Sequence, residues 1–238
     1  MVTELEEIAS EEEKYLGRRL DVLKEKFKEP EMNISPFNVK VELLACPNYD
    51  KWVQIAYEIG IMTWEQTGIE VASANIDKRR GLAEALMKDR PISAILESAI
   101  FVIKIINVSR TMTHQIVRSR NMAFSQQSFR VSSCYTDAVR YPDKLDKKQI
   151  EQFDKTAGIC RQLYKNMILN GVPMEQARNI MPMGLTTKII MVCNLSALKK
   201  YLESRSSVIT QDEHKRLVEL IRIELRSKCP EFYKMIGE

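Results

Sequence analysis

The central run of the chain extends from Ser109 to Arg130 and reads SRTMTHQIVRSRNMAFSQQSFR. Residues 98 to 136 contain no Asp or Glu, yet they contain several cationic residues, which are Lys104, Arg110, Arg118, Arg120 and Arg130. Because this positive charge has no acidic partner nearby in the sequence, the run indicates a site that binds an anion.

A helical turn is predicted to begin near Arg110 and to lead into the arginine motif. His114, Gln115 and Arg118 stand three and four positions apart on this turn, so their side chains share one face of the helix. The positive charge of the neighbouring arginines disfavours protonation of His114. We therefore interpret His114 as a structural histidine and not as a general base.

The end of this helix carries Arg118 and Arg120 on either side of Ser119, and residues 121 to 128 are predicted to form a polar loop. Guanidinium groups together with amide and hydroxyl donors suit a phosphate and the edge of a heterocycle, because both are recognised through paired hydrogen bonds. Composition alone favours a simpler interpretation, in which the two arginines complete the macrodipole of a solvated helix end. The pattern of the motif, more than its charge, favours a ligand site.

The overall composition is that of a globular protein. The chain has 238 residues, of which 45% are hydrophobic and 29% are charged, and this indicates one domain with a sizeable core. The formal net charge of +4 is mild, and tracts of Lys and Arg with interleaved aromatic residues are absent, which argues against a nucleic-acid-binding protein. No run of apolar residues is long enough to predict a membrane segment.

The cysteines predict neither disulfides nor a metal site. Their odd number and the lack of a recognisable signal peptide predict reduced thiols and a cytoplasmic location. With two histidines and no Cys-x-x-Cys pair, the sequence predicts no metal centre. We interpret the thiols as inert buried groups; they belong to Cys46, Cys134, Cys160, Cys193 and Cys229.

The chain is predicted to consist of an N-terminal helical extension, residues 1 to 37, and one main domain, residues 38 to 238. The extension has apolar residues at helical spacing and six Glu within its first 13 positions. We expect its apolar face to pack on its own domain, and packing against another subunit is the alternative.

Several segments of the main domain have clear strand or helix patterns. Strands are predicted at residues 38–45, 99–108 and 185–193. Helices are predicted from Asp50 to about residue 60, at residues 79–88 and 148–170, after Pro173, at residues 195–205, and around residues 217–225. Predicted helix ends include Asn194 as an N-cap, Gly171 as a C-terminal stop, and a capping box formed by Thr210 and Glu213.

The arginine motif resembles the signature of the flavin-dependent thymidylate synthases. That family usually has Arg-His-Arg, seven residues and then Ser; here the residues are Arg118-Ser119-Arg120, seven residues and Ser128. Ahead of it, Leu96-Glu97-Ser98 stands where the family often has Leu-Glu-His.

Two later segments of the chain are similar to the same family. Residues 177 to 182 read ARNIMP and match an Ala-Arg-x-x-Leu-Pro segment. Asn194 then stands at a helix start, and Arg205 follows it by eleven residues, as in the family. The resemblance covers roughly residues 38 to 230, with its segments in the expected order and separation, and this is more specific than a single short motif.

The resemblance implies an α+β fold in which helices pack on a mainly antiparallel sheet. It also implies a homotetramer whose active sites are built from several subunits. The implied substrate is deoxyuridine monophosphate (dUMP), bound by Gln115, Arg118, Gln126, Ser128, Arg130, Arg178 and Arg205.

Three of these residues receive specific roles from the resemblance. Ser128 and Arg130 would meet the phosphate of the nucleotide. Arg205 would be the catalytic residue, facing the uracil and stabilising negative charge that develops on the ring.

The resemblance also implies a site for flavin adenine dinucleotide (FAD), formed by Glu97, Arg118, Ser119, Arg120, Gln126, Asn194, Ser196 and Lys200. Ser119, Ser196 and Lys200 depart from the family, which has His, Arg, and His or Asn at these positions. Lys200 can supply the cation that Ser196 lacks, although as a point charge and not as a planar fork.

The implied reaction is that of a methyltransferase in nucleotide biosynthesis. Methylenetetrahydrofolate donates a one-carbon unit to C5 of dUMP, FAD reduced by NADPH supplies the hydride, and dTMP is formed. Two alternatives stay open, a flavin-dependent modification of another pyrimidine nucleotide at C5, such as hydroxymethylation, and a nucleotide-binding protein without flavin.

Overall fold

The computed structural model describes residues 37–63, 77, 81, 93–135, 137–207 and 210–236. Apart from Phe37 and residue 81, the predicted N-terminal extension and the predicted helix at residues 79–88 lie outside the described residues. The chain divides into two compact units. We call Phe37–Gln126 with Thr187–Glu238 the sheet unit, and Gln127–Thr186 the helical unit.

Four strands form one sheet in the order β1-β2-β4-β3. Pairing is antiparallel between β1 and β2 and between β3 and β4. The sheet confirms the predicted mainly antiparallel architecture and the three predicted strands. The strands are β1 Lys40–Ala45, β2 Ile100–Ser109, β3 Met122–Gln126 and β4 Thr186–Asn194.

Strand β3 was not predicted, because residues 121 to 128 have the polar composition of a loop. In the structure Met122, Phe124 and Gln126 are half-buried and alternate with exposed residues. All positions of β3 pair with β4, from Met122 opposite Cys193 to Gln126 opposite Ile189. The alternation with a period of two therefore outweighs the polar composition.

Helices pack on the sheet and form about half of the helical unit. They are α1 Tyr49–Thr63, α2 Ser93–Glu97, α3 Arg110–Ile116, α4 Lys147–Leu169, α5 Met174–Ala177, α6 Leu195–Arg205, α7 Asp212–Lys228 and α8 Pro230–Ile236, with a 3-10 turn at Arg178–Ile180. None of the described helices has the length and apolar character needed to cross a membrane.

The core of the sheet unit contains a cluster of aromatic rings. Trp52 of α1 and Phe101 of β2 both pack edge-on against Phe232, with ring centroids 5.1 and 5.4 Å away. Helix α7 adds Leu217, Ile221 and other buried residues to the same core. Helix α8, which carries Phe232, escaped prediction because seven residues are too few to show a helical period.

Two of the predicted helix caps are wrong. Helix α1 is preceded by Asn48, whose Oδ1 accepts from Lys51 N at 3.0 Å, so Asp50 lies inside the helix. The capping box of Thr210 and Glu213 is absent, because α7 has Gln211 as its N-cap, with no capping hydrogen bond from its side chain. The carboxylate of Glu213 instead accepts hydrogen bonds from Ser109.

Other predicted helix ends are confirmed. Asn194 caps α6 by accepting from Ala197 N at 2.8 Å, and Arg205 is the last residue of that helix. Helix α4 ends before Gly171, whose φ of 84° is left-handed and lets Val172 N reach Met167 O at 2.9 Å.

The helical unit has a separate small core beneath α4. Tyr164 and Ile168 of this helix pack with Phe129, Cys134 and other buried side chains. The predicted apolar stripe of α4 is thus a core face.

Candidate functional site

Helix α3, which carries the start of the arginine motif, is fixed at its first residue by α7. Ser109 caps α3, since its Oγ accepts from Met112 N at 3.1 Å. The carboxylate of Glu213 accepts from Ser109 N at 3.0 Å and from Ser109 Oγ at 2.7 Å. One carboxylate of α7 therefore holds both the backbone and the side chain of the cap.

The other end of α3 is held by the same turn of α7 through Gln115. Its Oε1 lies 3.3 Å from Nδ1 of His214, and its Nε2 donates to Gln211 Oε1 at 2.6 Å. On the far side of the imidazole, Nε2 of His214 lies 2.8 Å from the hydroxyl of Tyr201. Gln115 is thus part of a continuous hydrogen-bonded chain that begins in the core.

His214 is neutral at physiological pH. Its side chain is fully buried, and burial together with the nearby charge of Arg205 lowers its pKa from 6.5 to about 4. Burial also raises the pKa of Tyr201, so its hydroxyl keeps its proton and can donate to Nε2. Because Gln115 presents its acceptor oxygen to Nδ1, we place the ring proton on Nδ1, and Nε2 then accepts from the hydroxyl of Tyr201.

Arg205 lies at the end of α6, close to the same histidine. It is half-buried, and its buried Nε makes no hydrogen bond with any part of the chain that the structure describes. A buried guanidinium N–H without a partner is costly, so this position of Arg205 needs an explanation beyond stability. The structure therefore brings two predicted nucleotide-binding residues, Gln115 and Arg205, together around His214.

The histidine predicted to be structural was the wrong one. His114 is exposed on α3, whereas His214 is the buried and hydrogen-bonded histidine. The sequence contained a signal for it, because His214, Leu217, Val218 and Ile221 follow one face of an amphipathic helix. Tyr201, which is hydrogen-bonded to His214, was also not predicted from the sequence.

Gln126 is also anchored to α3. Its Nε2 donates to Thr113 Oγ1 at 3.0 Å, and that hydroxyl donates to Arg110 O. Arg118 and Arg120 follow α3 in an exposed turn, and their guanidinium groups make no hydrogen bond or ion pair with the described residues. These two cations are therefore free to meet a ligand.

Most of the predicted flavin residues gather at one end of the sheet. Because Met122 pairs with Cys193, the turn with Ser119 and Arg120 enters β3 next to Asn194. Backbone N of Leu195 donates to Ala99 O at 2.9 Å, and this contact brings Glu97 near the same helix start. Ser196 is half-buried in the first turn of α6, and Lys200 is exposed one turn later.

The helical unit brings together three further predicted residues, Ser128, Arg130 and Arg178. Nε and NH2 of Arg130 donate to Glu175 Oε2 at 3.2 and 3.0 Å, and Nε of Arg178 donates to the backbone oxygen of Glu175 at 3.2 Å. Ser128 Oγ accepts from Arg130 N at 3.3 Å. The acid-free run thus acquires an acidic partner from a distant segment, which its local sequence did not show.

Three of the five thiols have the properties of unreactive buried groups, whereas Cys46 and Cys160 are half-buried. All five cysteines are free, and Cys134, Cys193 and Cys229 are buried. Burial raises the pKa of each of these three to about 12. A thiol with such a pKa is a poor nucleophile near neutral pH. Among the described residues, no group of His, Cys, Asp or Glu side chains is arranged to hold a metal ion.

The sheet and its covering helices define the chain as an α+β protein, and each of its two units carries arginines of the candidate site. The family model described as "Thymidylate synthase complementing protein" matches residues 42–231. The chain therefore belongs to this family.

Relatives with an assigned function are similar over part of their length. A flavin-dependent thymidylate synthase of Pyrococcus furiosus is 37% identical over 118 residues, which are 47% of this chain and 48% of the relative. A flavin-dependent thymidylate synthase of Geobacter sulfurreducens is 30% identical over 149 residues, 60% of this chain and 64% of the relative. The aligned segments thus span about half to two thirds of these relatives.

A solved structure shows the same fold. The flavin-dependent thymidylate synthase of Helicobacter pylori, solved with FAD and dUMP, superimposes with a TM-score of 0.64. The match covers 83% of this chain and 98% of the other, at 16% sequence identity.

Proposed function

We propose that the protein is a flavin-dependent thymidylate synthase. It would convert dUMP to dTMP, with methylenetetrahydrofolate as carbon donor and NADPH-reduced FAD as the source of hydride. Family membership over residues 42–231 and the retained arginines support this proposal.

The observation that carries the proposal is the environment of Arg205. Its half-buried guanidinium has an Nε without a partner among the described residues, and it lies beside a neutral His214 that also holds Gln115. A cation in such a position stabilises an anion more strongly than it would in bulk water. Negative charge that develops on the uracil ring is an anion of this kind.

The chain carries out this role without a cysteine nucleophile. The buried thiols with raised pKa values are not poised to attack the ring. The protein therefore contributes positioning and positive charge, which are the contributions expected when a cofactor carries the difficult chemistry.

The residues at the end of the sheet fit FAD. The exposed guanidinium groups of Arg118 and Arg120 have no partner in the described part of the chain and suit a pyrophosphate. Glu97 and Asn194 would complete the site with Ser119, Ser196, Gln126 and Lys200. When bound, FAD supplies the hydride that completes the new methyl group.

The phosphate of dUMP is assigned to Ser128, Arg130 and Arg178 of the helical unit. The contacts of Glu175 support this assignment. The side chains of Arg130 and Arg178 both donate to Glu175, and the hydroxyl of Ser128 accepts from the backbone of Arg130, so two guanidinium groups and one hydroxyl lie close together.

A homotetramer and a separate N-terminal extension are also part of the proposal. Exposed apolar residues on α4 support an interface between copies; Ile159 is 61% and Leu163 is 43% exposed. Light scattering coupled to size exclusion would give four times the chain mass if this is correct. A variant that lacks residues 1 to 37 and still has four times its own chain mass would show that the extension is dispensable for assembly.

The decisive experiment is an absorption spectrum of the purified protein, with and without added FAD, followed by titration with dUMP. Bound oxidised flavin gives bands near about 370 and 450 nm, and these should respond to the nucleotide. With NADPH and methylenetetrahydrofolate, mass spectrometry should detect dTMP.

Other outcomes would replace the proposal. A hydroxymethyl product or a different nucleotide substrate would show a related C5-modifying enzyme. Binding of dUMP by a protein that does not take up flavin would show a nucleotide-binding paralogue. The departures from the family at Ser119, Ser196 and Lys200 would then explain the loss of flavin binding.

A further inference from the structure

We propose that His214, held by Tyr201, is a positioning residue that fixes the side-chain amide of Gln115 for contact with the nucleotide. This inference rests on the proposed function, since Gln115 is assigned to the dUMP site only there. Neither His214 nor Tyr201 belongs to the motif segments that link the chain to its family.

The hydrogen bonds around Gln115 run in one direction. The hydroxyl of Tyr201 donates to His214 Nε2 at 2.8 Å, Nδ1–H donates to Gln115 Oε1 at 3.3 Å, and Gln115 Nε2 donates to Gln211 Oε1 at 2.6 Å. The direction follows from the amide oxygen of Gln115 at Nδ1, which places the ring proton on that nitrogen, while Gln211 holds the other end of the same amide. Gln115 keeps one N–H and one lone pair for a ligand.

The anchor of this chain is rigid. Tyr201 is 3% exposed and lies in α6, and His214 is fully buried in the first turn of α7. That turn is itself fixed to α3 through Glu213 and Ser109. The backbone on both sides of Gln115 is therefore set, and the only freedom left is that of its side chain.

Holding that side chain in advance favours binding. A glutamine that is free to rotate loses conformational entropy when a ligand orders it. The contacts with His214 and Gln211 remove much of this freedom before the nucleotide arrives, which is the usual benefit of preorganisation.

Nitrogen-15 spectra of histidine-labelled protein test the contact directly. The chain has two histidines, so a His114→Gln variant assigns the two sets of signals. We expect His214 to show a neutral ring with the proton on Nδ1 at pH 7. The opposite tautomer, or a charged ring, would overturn the inference.

Binding of dUMP to variants of the flavin-loaded protein tests the role. His214→Ala and Gln115→Ala should each weaken dUMP binding at least about fivefold, the value of one hydrogen bond. The double variant should bind no more weakly than Gln115→Ala alone, because both changes remove one interaction. His214→Asn should recover much of the loss, since its amide N–H can occupy the place of Nδ1–H.

If His214→Ala does not fold, Tyr201→Phe provides a second test of the same hydrogen-bonded chain. It removes a single hydroxyl, and we expect a smaller rise in KM for dUMP with kcat changed less. Unaltered binding by the folded variants, or losses that multiply in the double variant, would overturn the positioning role. Failure of the proposed function would be seen differently, as a wild-type protein that binds neither FAD nor dUMP, and it would end both proposals.

Discussion

The guanidinium group of Arg205 lies beside the buried ring of His214, and its charge adds to burial in keeping that ring neutral. The same charge lies near the hydroxyl of Tyr201. At this one position, therefore, a single cation acts on both His214 and Tyr201, and it is the cation that we propose faces the reacting ring.

Replacing Arg205 by Ala should reduce kcat/KM for dUMP about 100-fold, which corresponds to a loss of about 3 kcal/mol in transition-state stabilisation. The charge-matched control is Lys51→Ala, a substitution at an exposed position of α1. Steady-state kinetics at several dUMP concentrations would check this. Turnover of Arg205→Ala close to that of the control would remove Arg205 from the mechanism.

If Arg130 binds the phosphate of the nucleotide as proposed, Glu175 competes with that phosphate for the guanidinium group. The ion pair is solvent-exposed, so it contributes at most about 1 kcal/mol. Replacing Glu175 by Gln should therefore tighten binding of dUMP by up to about fivefold. Titration calorimetry would measure the change, with Glu219→Gln at an exposed position of α7 as the control. Weaker binding by Glu175→Gln would mean that Glu175 orders the site instead of competing for it.

At the scale of elements, the first turn of α7 fixes α3. It contacts the cap of α3 through Glu213 and the last turn of α3 through Gln211 and His214. The arginine turn that follows α3 therefore starts from a backbone held at both ends.

The cap of α3 should contribute strongly to stability. Ser109→Ala removes the acceptor of Met112 N and leaves a carboxylate oxygen of Glu213 without its donor, and the expected cost is about 2 kcal/mol of unfolding free energy. Ser125→Ala, at an exposed position of β3, is the control for loss of a hydroxyl. Urea unfolding would measure both.

The contact with Glu213 can be isolated by a double-mutant cycle. Glu213→Gln and Ser109→Ala should together cost less than the sum of the two single changes, because they break the same hydrogen bond. Strictly additive costs would show that Ser109 stabilises α3 only through its local cap.

Elements with a strong local signal could be predicted from the sequence. The β-branched run of β2, the Asn194 cap of α6 and the glycine stop of α4 depend on residues close together in the chain. Strand β3 could not be predicted, because its partner β4 lies more than 60 residues away and only the pairing makes the alternation meaningful.

At the scale of the whole molecule, contacts between distant segments explain what sequence reasoning missed in the site. His214 lies 99 residues from Gln115, and Glu213 lies 104 residues from Ser109. Such contacts follow from the fold and leave no local pattern. The arginines of the motif were identified because their spacing resembles that of a known family.

Stability of the whole chain should depend on the ionisation of His214. Its pKa is about 4 when folded and 6.5 as its ordinary value, so the unfolded chain binds more protons between these values. The contribution of neutral His214 to the free energy of unfolding is complete above pH 6.5 and is lost as pH falls towards 4. It amounts to at most about 3 kcal/mol.

The variant His214→Asn separates the pH dependence of stability that is due to His214 from the pH dependence that is due to carboxylates elsewhere in the chain. The variant has no titrating group at this position, so its unfolding free energy should fall less between pH 7 and pH 4. Denaturant unfolding followed by circular dichroism at several pH values would measure the difference. Parallel curves for the two proteins would show that His214 can be protonated in the folded state.

The pair formed by Arg130 and Glu175 has a consequence for the choice of ligand. If Arg130 takes the phosphate of the substrate, a nucleoside that lacks the phosphate offers nothing to replace the carboxylate and leaves the pair intact. A nucleotide exchanges one anion for another, and the arginine is never left without a counter-ion. Glu175 would therefore keep Arg130 paired before the substrate arrives, and it would reduce the advantage that the phosphate gives a monophosphate over a free nucleoside.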